Sequence, residues 1–379
     1  MVSAGGSRDR GGMATALPTL RLTTPSDLLG TIPYLLGFVP ERSVVAVALR
    51  GRGRSMRLEL TLRADLPAAE EAAECAEVIA GHLSRVGATS VVYIMYAAEA
   101  NADLGALIDA LERSTGAAGV DVWDMLHVAG GVWRSLLCVD TDCCPPGGTP
   151  LGSGSPGVAE VEAVAAGMSA LPSRQALVDT LKPVDRAAIA AVGVEISILA
   201  ARPWSLSRSA IAGRRATTVR MVAQVLDART GPLDTRTDCA AGPGGSADGT
   251  VERQVRRVGR VRARDGDPLR APDVARILVG LADPQAVDRC CQLAVGPSGP
   301  AAVSLWTELV RLSPPSYAAA PASILSYAAW RHGLGSLANI AVERALAGDP
   351  AYPLACLMHE ILLHGLDPRS LDRPSDKAW

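Results

Sequence analysis

The 379-residue chain has a single phenylalanine, Phe38, only two lysines, Lys182 and Lys377, and aromatic rings at 3% of its positions. With so few large rings, Ala, Val and Leu must fill most of the core. The hydrophobic share is nonetheless 48%, and an Ala-rich core favours close packing of helices, Ala having the best helix propensity. Apart from the two lysines, all basic side chains other than histidine are arginine, the bias of a GC-rich bacterial genome. An excess of either sign is missing too: 37 basic against 39 acidic residues leave a net charge of -2. No overall field therefore exists to hold nucleic acid or an anionic membrane, and such a partner would need a local patch. No apolar run approaches the roughly 20 residues that span a bilayer, and runs such as Val44 to Leu49 are far too short. Residues Met1 to Thr19 are rich in Gly, Ser and Arg and lack the apolar stretch of a signal peptide, so a disordered leader is expected, with Met13 an alternative start. These features point to a cytoplasmic protein whose eight cysteines are mostly reduced thiols.

What is present reads as two architectures in one chain, an α+β protein. In the first, Leu28, Leu29, Ile32, Leu35 and Leu36 suit a short helix interrupted at Pro33 and ended by Gly37. Val44 to Leu49 is continuously apolar, the mark of a strand buried on both faces. Met56, Leu58, Leu60 and Leu62 alternate with polar residues, which predicts its hairpin partner. Asp65 and Pro67 stand where an N-cap and first-turn proline belong, ahead of a helix through Val86. Another strand at Val91 to Tyr96, a helix after Asn101, and strands at Val122 to Ala129 and Val132 to Leu137 follow. Gly130-Gly131 joins the last two as a tight turn that sets His127 opposite Arg134. The N-terminal domain, 20–150, is thus a mixed α/β sheet of about five strands.

The Pro-, Gly- and Ser-dense stretch Thr141 to Gly157 predicts a boundary. Beyond it the pattern is all α: a helical segment over 158–226, a mobile loop over 227–250 and a repeat-like region over 251–368. Gly333, Ala338, Ala341, Ala345 and Pro350 fall at the spacings of a tetratricopeptide-like helical hairpin, and Leu305, Trp306, Leu309 and Val310 suit the second helix of a degenerate preceding unit. An ordinary helical bundle with a similar hairpin fits the same residues.

Three blocks carry a family resemblance: Leu20 to Leu49, the run WRSLLCVDTDCCPPGGTPL from Trp133 to Leu151, and the tail around LANIAVERALAGDPAY. Together they resemble an actinobacterial family catalogued as domain of unknown function 4192. The resemblance implies a bacterial cytosolic protein with this two-part layout and implies no reaction.

Among candidate sites, Cys138, Cys143 and Cys144 place three soft ligands within seven residues. A zinc site needs thiolates converging at about 2.3 Å, usually four of them. The C-x4-C-C spacing is not a zinc-knuckle spacing, adjacent cysteines should point apart, and His127 lies too far along its strand to complete the set. The readings are buried structural thiols, metal ligands, or redox and nucleophilic chemistry; the first leads, so no metal and no cofactor are expected. Cys290-Cys291 falls in a helical pattern and should pack. His359, Glu360 and His364 are H-E-x-x-x-H, and the five-residue offset sets the imidazoles about 140° apart on a helix, against a zinc protease. Gly152, Gly154 and Gly157 match G-x-G-x-x-G by letter but follow no buried strand. Arginines between Val251 and Arg270 could meet phosphates, yet a solvated face is the simpler reading, with no interleaved aromatic for base stacking. Glu41 and Arg42 either line a cleft at the sheet edge or cap a turn.

The expectation from these residues is a noncatalytic interaction or regulatory module, its helical tail meeting a protein partner. The alternative is an enzyme in the α/β domain, with Glu41, Arg42, Trp133, Arg134, Cys138, Cys143 and Cys144 lining a ligand site. Nucleic acid ranks last on net charge. A cleft joining the N-terminal and cysteine blocks would favour the enzyme.

Overall fold

A computed structural model describes residues 24–51, 56–99, 102–152, 157–165, 168–201, 207–230, 268–296 and 298–372. Its described residues fall into two compact units, one of 24–180, 334–336 and 360–372, the other of 181–333 and 337–359.

The first unit opens with α1, Pro25–Leu36, started by a reciprocal cap: Thr24 Oγ1 accepts from Asp27 N, and Asp27 Oδ2 accepts from Thr24 N. The expected interruption at Pro33 does not occur. Pro33 forfeits one backbone bond, but the cap and the burial of Leu28, Leu29, Ile32 and Leu36 hold the helix to Gly37, which closes it at φ 81°.

Six strands follow in the order β2-β1-β3-β4-β5-β6. β1, Ser43–Arg50, lies antiparallel to β2, Arg57–Asp65, and to β3, Ser90–Tyr96. β3 runs parallel to β4, Asp121–Ala129, across the helix α3, Gly105–Ala117. β5, Val132–Ser135, returns antiparallel, and the strand beyond the expected five is the two-residue β6, Thr149–Pro150. His127 pairs with Arg134 as the Gly130-Gly131 turn requires; both glycines take positive φ, 59° and 78°. The helix after β2, α2 over Ala72–Arg85, begins later than expected, behind a short 3-10 turn at Ala69–Glu71. Asp65 is not its cap: it ends β2 and pairs with Arg63.

One face of the sheet, through Val44, Ala46, Val91, Tyr93, Met95 and Met125, packs against Ala76, Ile79 and Leu83 of α2 and Leu107 and Leu111 of α3. Tyr93 Oη and Thr115 Oγ1, 2.6 Å apart, tie β3 to α3 within that layer. The opposite face is buried as well at Val45, Val47, Ile94 and Leu126, which is why β1 has no polar alternation. Phe38 lies there beneath the guanidinium of Arg63. The Pro- and Gly-rich stretch expected to separate domains lies inside this unit, because α4, Val158–Ala165, packs on α1 and its Glu160 accepts a hydrogen bond from Tyr34.

After α5, Arg174–Asp179, in the first unit, the second unit is helical among its described residues: α6 (Arg186–Ala200), α7 (Arg208–Thr230), α8 (Ala271–Gly280), α9 (Pro284–Leu293), α10 (Gly299–Leu312), α11 (Ala319–Arg331) and α12 (Gly335–Gly348). Leu305, Trp306, Leu309 and Val310 of α10 are buried, as their spacing predicts. Arg229 of α7 pairs with Glu308 of α10, whose other oxygen accepts from Leu269 N. Ser326 Oγ of α11 donates to Ala338 O of α12 at 2.9 Å, and Ala338, Ala341 and Ala345 are fully buried. The loop expected over 227–250 starts later, because 227–230 continue α7; its remainder 231–250, the leader 1–19 and residues 251–267 of the basic stretch lie outside the described residues.

Candidate functional site

The sheet register decides which of the predicted site residues can meet. Asp65, Ser43, Tyr96, Val128, Trp133 and Thr149 form one row across the six strands. Glu41 and Arg42 precede Ser43 at the β1 end of that row, so three strand spacings, about 14 Å, separate them from β5. β5 then carries the chain along the sheet away from that edge, toward Cys138. The seven residues therefore do not share a cleft. Glu41 and Arg42 shape a turn instead: the Glu41 carbonyl accepts from Ser43 Oγ, and Arg42, at φ 45°, is held by Leu66 N on its carbonyl. Trp133 is buried and Arg134 exposed opposite His127. His127 is buried, and burial, with the charge of Arg134 second, lowers its pKa.

The three thiols do come together. Ser135 starts the arrangement: its hydroxyl donates to Asp124 Oδ1 at 2.6 Å and accepts from the backbone N–H of Leu137 and Cys138 at 3.2 and 3.0 Å. Those two N–H groups are thereby taken from the ladder, so β5 stops at Ser135 and not at Leu137 as the apolar pattern suggested. Asp140 makes the next turn, its carbonyl accepting from Cys144 N at 2.7 Å and its carboxylate from Asp142 N at 2.9 Å. The curl brings Sγ of Cys138, Cys143 and Cys144 within 4.8 Å of one another. The adjacent cysteines do not diverge as extended-chain geometry predicts, because the chain here is a turn. The loop closes at Gly148, where φ is 75° and a Cβ would crowd Val132 Cγ2 at 3.0 Å and Trp133 O at 3.2 Å. Glycine is what lets Thr149 pair with Trp133.

The electrostatics of this loop are one-sided. No Lys, Arg or His occurs between Arg134 and Arg174, whereas Asp140 and Asp142 lie within the curl. Cys143 is exposed, yet hydrogen bonding to Cys144 and repulsion from Cys144 and Cys138 push its thiol up to about 11. Cys290 differs in kind: it is fully buried in α9, and burial pushes its thiol up to about 12, as for its neighbour Cys291. The signal that could have revealed the thiol convergence is Asp140-x-Asp142 beside a serine at the strand end, the residue types that bend a chain by hydrogen-bonding their own backbone.

The other motifs resolve into structure. His364 pairs with Glu360 at 3.2 Å, one turn back, at the end of α13, Pro353–Leu363. His359 is exposed on that helix. Gly152 takes φ 70° in a turn, and residues 153–156 lie outside the described residues. Arg270, the described end of the basic stretch, pairs with Asp273. No helix among the described residues is long and apolar enough to cross a membrane.

A mixed-sheet unit carrying a three-thiol loop, joined in one chain to an all-helical unit, is the class of protein that fold and site define. The chain belongs to the family described as Domain of unknown function (DUF4192), whose profile matches residues 25–369. No curated protein and no solved structure matches it.

Proposed function

We propose that this chain is a noncatalytic regulatory protein of the cytoplasm, in which the α/β unit responds to a ligand taken up by the loop of Cys138, Cys143 and Cys144, and the helical unit, through tetratricopeptide-like packing, meets a protein partner. The observation that carries the reading is the convergence of three thiols on a loop tied to the sheet at both ends, by Ser135 and by Gly148. Reduced thiols at an exposed position suit a reducing compartment.

The test is affinity purification of the tagged chain from its native cell, followed by mass spectrometry, with the wild type beside a variant carrying serine at all three positions. A regulatory role predicts a protein partner recovered with the wild type whose yield changes several-fold in the variant. Identical recovery from both chains would sink the reading.

A further inference from the structure

We propose that the Cys138, Cys143 and Cys144 loop binds one thiophilic d10 cation, Zn(II) or Cu(I), through its three sulfurs. This rests on the reading of the loop as the ligand-taking element and names what it takes. Geometry comes first. A Zn–S length of about 2.3 Å sets neighbouring sulfurs of a tetrahedral site about 3.8 Å apart. The three Sγ atoms already lie within 4.8 Å of one another, so each pair has to close by no more than about 1 Å. The turn that assembles them is made of backbone and Asp140 bonds that an ion does not disturb.

Charge points the same way. The loop carries two carboxylates and no basic side chain of its own, a local charge that suits a cation. Three sulfurs select soft metals over Mg(II) or Ca(II), which take oxygen. Each thiol that ligates gives its proton to solvent, and the bound charge replaces it. Zn(II) needs a fourth ligand; water can enter beside exposed Cys143, or the carboxylate of Asp142 can swing in.

The experiment uses the full chain, reduced and stripped of metal, titrated with Zn(II) against a chromogenic chelator and, in a second arm without oxygen, with Cu(I) against a Cu(I) chelator. One equivalent bound per chain is expected, the arms deciding which metal is held more tightly. Cys143→Ser should weaken binding by more than the roughly 10- to 100-fold that losing a supporting partner costs. Cys356→Ser, at an exposed cysteine of the other unit, should leave it unchanged. Cd(II) added to the wild type should raise the thiolate charge-transfer band in the ultraviolet, a readout that needs no variant. No tight equivalent in either arm, or an affinity that Cys143→Ser does not alter, overturns the site. One equivalent lost on Cys143→Ser, with partner recovery the same for wild type and triple variant, upholds the cation site and overturns the regulatory reading alone.

Discussion

Ser135 shows how much one hydroxyl can decide. It ends β5, turns the chain out of the sheet and fixes the start of the thiol loop by holding two N–H groups and Asp124 together. Ser135→Ala leaves those groups without their partner, and a lost partly buried hydrogen bond costs about 1 to 3 kcal/mol. Urea unfolding should show a loss of that size. Metal affinity should fall with it, since the triad loses its anchor. A second residue-level expectation concerns His82 of α2, which is 7% exposed, packs its ring against Gly365 and has no partner on Nδ1. Burial lowers its pKa below the ordinary 6.5, and the charges of Arg85 and His364 add to the shift. The unfolded chain therefore binds this proton more readily than the folded one. The contribution to stability is complete above about pH 6.5 and is lost as pH falls through the lowered folded value. Replacing His82 by Gln should flatten the acid side of a plot of urea midpoint against pH. An unchanged slope would move the effect to another group, with buried His127 next in line.

Among elements, α12 offers the sharpest contrast. Ala338 is fully buried with its carbonyl bonded to Ser326, while Glu343 is exposed on the same helix. Ala338→Leu should cost about 1 to 3 kcal/mol by overpacking. Glu343→Gln should stay within about 0.5 kcal/mol. Equal small losses in denaturant unfolding would show that Ala338 does not sit in a closely packed contact. Such elements were legible because their signals are local and redundant. The apolar run of β1 needs no partner to identify it, and Gly130-Gly131 alone sets the register of His127 on Arg134. Illegible features depend on a second segment. Asp65 carries the same local signal as cap or as strand end, and the decision lies with Arg63 and with Leu66 N reaching Arg42 O. α4 joins the sheet unit through Glu160 and Tyr34, 126 residues apart. The convergence of the cysteines follows from Asp140 and Ser135, which spacing between cysteines does not encode.

On the scale of the whole molecule, the chain leaves the α/β unit after residue 180, contributes 334–336 to it and comes back to it at residue 360, so that unit is not a contiguous stretch. Removing residues 360–379 should uncover His82, because Gly365 packs on it. Amide exchange in α2 should then quicken, about fivefold for a loss near 1 kcal/mol, while α10 in the other unit keeps its protection. Equal exchange in both forms would mean that the returning segment adds nothing to α2. The same chain path sets a clock on synthesis. A ribosome adds about 5 to 20 residues per second, so roughly 15 to 55 s pass between the emergence of α2 and that of Gly365. For that interval the nascent α2 presents His82 to water, open to protonation and to whatever binds unfinished chains.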